Sequence, residues 1–152
     1  NCFEVCDPTK FCSDPCNISP EQRQTDTINL LETVSDPILL ATINTPQNKA
    51  FTFLLDDDDV VVCPQDDNVL QIYILAVLFF SMNGPTSSLS LSWLVTANEC
   101  DWVGLECADD VVTTITIDSR DLTGTIPSEL GKLQNLEKID FFDSNLFGPI
   151  PS

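Results

Sequence analysis

At 152 residues the chain can hold one sizeable core, or a small domain with an appendix. Its 24 acidic residues against 6 basic ones leave a net charge of −18, which argues against nucleic acid and anionic lipid as partners. Seven cysteines and no histidine remove the Ser-His and Cys-His pairs of nucleophilic catalysis and point to an oxidising compartment, so the chain reads as extracellular and not as an enzyme. It starts at Asn1 without a methionine, as a processed product or a fragment would.

Residues 1–18 form a Cys-rich segment in which Cys2, Cys6, Cys12 and Cys16 are spaced C-x3-C-x5-C-x3-C. This spacing matches no common zinc knuckle, so disulfides are expected rather than a metal, with three connectivities open. Cys63 is a further partner for this cluster, which would leave another thiol free for a bridge between chains. Asn17-Ile18-Ser19 is a weak glycosylation acceptor because Pro20 follows it.

Residues 19–85 read as helical. Ser19, Pro20 and Gln22 supply an N-cap, a first-turn proline and a capping partner, and Ile28, Leu31 and Val34 share a face until Asp36-Pro37 stops the helix. Thr45-Pro46 opens a second helix carrying Ala50, Phe51, Phe53, Leu54 and Leu55, which ends near the carboxylate run Asp56 to Asp59. Carboxylates sit badly with the negative end of a helix. Because calcium loops alternate ligands with spacers, the run reads first as a solvated loop and a cation is the minor alternative.

A third helix runs from Asp66 or Asp67 to the stop at Asn83-Gly84-Pro85, and its segment "VLQIYILAVLFF" is apolar nearly all round. That run is well short of the ~20 residues that span a bilayer, so it predicts a buried helix and no membrane insertion in this segment. The serine-rich "TSSLSLSWL" that follows reads as a loop.

The last third repeats itself. Leu122, Gly124, Ile126 and Pro127 recur as Leu146, Gly148, Ile150 and Pro151, each 24 residues on, and Val112, Ile115 and Ile117 correspond to Leu136, Ile139 and Phe141. A period in this range is the mark of a repeat solenoid. Residues 112–135 form one copy and 136–152 an incomplete second. Strand alternation sends Ile115, Ile117, Ile139 and Phe141 inward, and puts Thr114, Thr116, Asp118, Lys138, Asp140 and Phe142 on an outer face two strands wide.

Trp93, the motif Cys100-Asp101-Trp102-x-Gly104-x-x-Cys107 and the strand opening into "LTGTIPSELGKL" resemble the amino-terminal cap and first repeats of plant-type extracellular leucine-rich repeat proteins. The preceding helix looks more like the version in secreted or membrane-anchored leucine-rich repeat proteins of algae. The resemblance covers residues 66–152 well, residues 28–65 loosely and residues 1–27 not at all, with residues 86–111 as the cap of the repeats. It implies an α+β fold: a helical, disulfide-bridged cap, then the start of a leucine-rich repeat solenoid with short parallel strands. Cys100 and Cys107 would close a short loop of that cap and hold Trp102 against the first strand. One departure stands out. Arg120 and Ser144 occupy the position where the family carries asparagine, and Asn145 comes one place late.

The resemblance also implies recognition of a protein, peptide or glycan along the concave face, here Thr114, Thr116, Asp118, Lys138, Asp140 and Phe142, with Phe142 marked as an aromatic contact. No cofactor or metal is expected. The last copy should present an open apolar edge. Two readings follow from it: the front end of a longer recognition ectodomain, or, as the alternative, a structural subunit docking head to tail into a homo-oligomeric extracellular fibre.

Overall fold

In the computed structural model, which describes residues 15–57, 59–118 and 121–151, three helices start with the same device. Helix α1 (Pro20–Leu31), α2 (Pro37–Ala41) and α3 (Pro46–Asp56) each have proline in the first turn, preceded by a capping side chain. The Gln22 N–H donates to Ser19 Oγ at 3.1 Å, Ile38 N–H to Asp36 Oδ1 at 2.8 Å, and Asn48 N–H to Thr45 Oγ1 at 3.1 Å. Proline has no N–H to leave unpaired, and the cap satisfies one of the donors next to it.

Two expectations change here. Helix α1 already ends at Leu31, so Asp36-Pro37 does not stop it but starts α2, a short element not expected from the sequence. The buried residues of α1 are Arg23, Thr27 and Leu31, while Ile28 and Val34 are only half-buried. Arg23 turns inward because its guanidinium donates to the carbonyls of Leu54 (2.9 Å) and Val62 (3.2 Å), tying α1 to the end of α3 and the chain beyond it. A buried cation is tolerated when acceptors meet it.

Helix α4 (Val69–Ser81) is the centre of the fold, with Val69 and every residue from Ile72 to Phe79 buried. It packs against α3 on one side and, on another, against the 3₁₀ turn Ser128–Lys132 of the first repeat. Its stop works differently from the expected glycine cap: Asn83 is the left-handed residue (φ 59°), and Gly84 is needed for space, since a Cβ there would lie 2.3 Å from the Phe79 ring. The serine-rich stretch expected to be a loop carries one 3₁₀ turn, Ser88–Leu91, after another at the helix stop, Gly84–Thr86.

Beyond it, Trp93 and Trp102 are fully buried with ring centroids 5.4 Å apart, and Phe79 of α4 stacks on Trp93 at 6.2 Å. Both indole N–H groups find carbonyls, Trp93 at Val103 (2.9 Å) and Trp102 at Thr96 (3.2 Å), as buried indoles require.

Strand β1 (Leu105–Ala108) runs antiparallel to β2 (Val111–Asp118), which pairs in parallel with β4 (Lys138–Phe142). The β1–β2 hairpin turns on Asp109 and Asp110, both at positive φ (51° and 61°), the conformation that two-residue hairpins demand and aspartate tolerates. Thr113 is an extra residue in β2, a bulge opposite Glu106 and Cys107. The short strands β3 (Thr123–Gly124) and β5 (Asn145–Leu146) also pair in parallel. The β2–β4 register steps by 24 residues, the sequence period, whereas β3–β5 steps by 22. An even slip keeps side chains on their own faces.

The structure is therefore mixed helix and strand, as expected. Each repeat copy contributes one strand to each of the two parallel pairings, which falls short of a solenoid.

Two disulfides lie among the described residues. Cys100 bonds Cys107, and Cys16 bonds Cys63 across 47 residues instead of a neighbour in its own cluster. Cys2, Cys6 and Cys12, expected to form disulfides, lie outside the described residues, as does Arg120. Among the described residues no helix is long and apolar enough to cross a membrane.

Candidate binding surface

Parallel pairing at a 24-residue step puts equivalent residues of the two copies side by side: Thr114 beside Lys138, Thr116 beside Asp140, Asp118 beside Phe142. Side chains at paired positions share a face, so all six residues expected on the outer face come together there. Phe142 is 51% exposed, a large apolar group on an otherwise polar surface. Lys138 Nζ stands 3.9 Å from Asp140 Oδ2 within the same strand, a solvent-screened pair that contributes little to stability.

The face is wider than the two strands read from the sequence. Glu106 of β1 pairs with Thr114 and adds a third strand and another carboxylate. The signal for β1 was present: four residues, "LECA", separated by two aspartates from "VVTT". Ile139 was expected in the core together with Phe141. Phe141 is half-buried against the core, but Ile139 is 41% exposed, because β4 is an edge strand and its inner side lacks the cover that α4 gives the first copy.

Ile150 lies at the same edge, where Ile126, Leu130, Leu133 and Leu136 surround a hollow of about 310 Å³. Ser144, at the departing position of the repeat, turns its hydroxyl back to the Phe141 carbonyl of its own copy at 3.5 Å.

Two carboxylates that no sequence pattern singled out hold these parts in place. Glu129, in the 3₁₀ turn of the first copy, is buried and accepts hydrogen bonds from Ser35 Oγ (2.8 Å) and Gln47 Nε2 (2.9 Å) of the helical region. Tyr73 of α4 donates its hydroxyl to the same Ser35 at 2.8 Å, and burial pushes the phenol pKa well above its ordinary value. Glu99, in the cap, accepts from Asn68 Nδ2 (2.8 Å) and Gln71 Nε2. Gln71 in turn accepts from the Val112 N–H (2.9 Å) at the start of β2.

The run Asp56 to Asp59 forms no such centre: Asp57 Oδ1 accepts the backbone N–H groups of Asp59 and Val60, both at 2.9 Å, and Asp58 lies outside the described residues. Among the described residues no group of three or more ligating side chains could hold a metal ion. Asn17, the weak sequon position, is exposed at the start of the described region.

No protein-family model matches the chain. Curated proteins of Arabidopsis thaliana do. Polygalacturonase inhibitor 1 is 36% identical over 105 residues, 66% of this chain and 30% of that protein. Receptor-like kinase TMK4 is 36% identical over 72 residues, 47% of this chain and 7% of its own length. Leucine-rich repeat receptor protein kinase EMS1 is 35% identical over 66 residues, 42% of this chain and 6% of that protein. These relatives support a leucine-rich repeat type of chain. The chain spans well under half of each.

Proposed function

We propose that this chain is the amino-terminal part of an extracellular leucine-rich repeat ectodomain that recognises a protein or peptide rather than catalysing a reaction. The observation that carries this reading is the outer face of β1, β2 and β4, where register gathers Thr114, Thr116, Asp118, Lys138, Asp140 and the exposed Phe142. An aromatic among polar and charged neighbours is the composition of an interaction hot spot. The similarity to receptor-like proteins and to a polygalacturonase inhibitor supports recognition, and the two disulfides fit an oxidising, extracellular setting.

In this reading residues 1–18 precede a helical region (19–85), a cap (86–111) and two repeats (112–135 and 136–152). The apolar edge at Ile139 and Ile150 accepts further repeats of a longer ectodomain. The fibre alternative draws no support from the relatives.

The test is capture of extracellular proteins and peptides on the immobilised chain, beside a variant carrying Phe142→Ala and Thr116→Lys that keeps its circular dichroism and thermal transition. A species retained by the native face and lost from the variant is the expected result. Identical retention on both would overturn the reading.

A further inference from the structure

A cleft of about 670 Å³, separate from the outer face, opens where the start of α4, the cap and the first repeat meet. Its size suits a small ligand or a single long side chain. The lining divides in two. Val34, Leu70, Ile74 and Leu133 give apolar surface from the helical region and the repeat, while the buried Glu99, 1% exposed as a residue, contributes a carboxylate.

Glu99 is unusual in what it faces. Both of its oxygens are engaged, but by the neutral side-chain amides of Asn68 and Gln71, and among the described residues its partners include no cation. A buried carboxylate without an opposite charge is costly unless something positive reaches it, and each oxygen keeps a second lone pair for another donor. Those amides are themselves fixed, because Asn68 also donates to the Ala97 carbonyl (3.3 Å) and Gln71 to the Asp110 carbonyl (3.1 Å), while Gln71 accepts from Val112 N–H. The carboxylate is therefore held on a rigid support. Asp67, Asp109 and Asp110 line the cleft as well, against the single cation Lys132.

We propose that this cleft binds an arginine side chain of a peptide partner. The apolar walls suit the methylene stem, which long basic side chains lay along hydrophobic surface. The guanidinium, a planar fork of donors, matches a carboxylate better than a point-like ammonium does. Asp67 and Asp110 add charge at the rim. The site is independent of the outer face proposed above for protein recognition.

Calorimetric titration of the chain with acetyl-Gly-Arg-Gly-amide, and with the same peptide carrying neutral citrulline, tests it. The arginine peptide should bind one to one and the citrulline peptide at least tenfold more weakly. Asp67→Asn with Asp110→Asn, both exposed and both able to keep their backbone conformation, should weaken arginine binding about tenfold. Asp56→Asn with Asp59→Asn, the same charge change elsewhere, should leave it unaltered, as should Phe142→Ala on the outer face. Glu99→Gln should abolish binding if that variant folds, and the rim pair decides if it does not. Absence of binding, equal binding of the two peptides, or equal loss in the two Asp pairs would overturn the proposal.

Discussion

The backbone of Gly124 passes so close to the carbonyl of Ser81 that a Cβ at position 124 would lie 2.2 Å from its oxygen. Thr123 and Thr125, on either side, donate their N–H groups to Met82 O (3.2 Å) and Ser81 O (3.3 Å), the last carbonyls of α4. Helix ends leave such carbonyls without partners, and the L-x-G-x-I-P segment of the first copy satisfies them. One repeat later the pattern recurs on the repeat itself, with Asn145 N–H donating to Leu122 O (2.9 Å) and Phe147 N–H to Gly124 O (2.8 Å). The end of α4 and the first copy thus each receive two backbone N–H groups from the copy that follows, in opposite order along the acceptor chain.

Gly124→Ala should therefore destabilise the chain by about 3 kcal/mol, through the clash and a backbone at φ 115° that alanine tolerates poorly. Gly148→Ala, also at positive φ, would meet only the Thr125 methyl at 3.4 Å and should cost about 1–2 kcal/mol. Urea denaturation of both variants checks the order; equal losses would mean the Ser81 contact is unimportant.

Removal of the two disulfides should have unequal effects. Cys16–Cys63 closes a span of 47 residues and Cys100–Cys107 one of 7. Loop entropy assigns about 4 kcal/mol to the first and about 2.4 kcal/mol to the second. Paired Cys→Ser variants, compared by midpoint of denaturation, measure the difference.

Tyr73 is the sole tyrosine, so ultraviolet absorbance of phenolate reports on it alone. Its pKa is raised in the folded state from the ordinary 10.0, first by burial, against which the Ser35 hydrogen bond works. The raised value means the group's contribution to stability is complete below pH 10.0 and is lost as pH climbs above it. Phenolate should then appear only with alkaline unfolding, seen as coincident changes in absorbance and circular dichroism. Titration of an intact fold near pH 10 would contradict the burial.

Phe141 and Phe142 should separate cleanly. Phe141 packs against the core and its replacement by alanine should cost about 2–3 kcal/mol. Phe142 is 51% exposed, and the same change should stay within about 0.5 kcal/mol. Thermal denaturation of the two variants distinguishes them, and a reversed order would invert the facing of β4.

The sequence by itself determined what is local or periodic: the Ser19-Pro20 and Thr45-Pro46 helix starts, the apolar α4, and a 24-residue period that reappears as the register of β2 on β4. These follow from capping chemistry and side-chain spacing, which neighbouring residues specify. Asp36-Pro37 shows the limit, since letters that read as the end of one helix instead start the next, the first having ended at Leu31. Only the tertiary structure decided that Cys16 reaches Cys63, that Glu129 meets Ser35 and Gln47, that Glu99 lies buried among amides, and that Ile139 is left exposed on the inner side although Ile115, its repeat equivalent, is buried. Each of these depends on which surfaces distant segments bring together. Ile115 and Ile139 occupy the same place in the period, and what separates them is the packing of α4 against one copy and the sheet edge at the other.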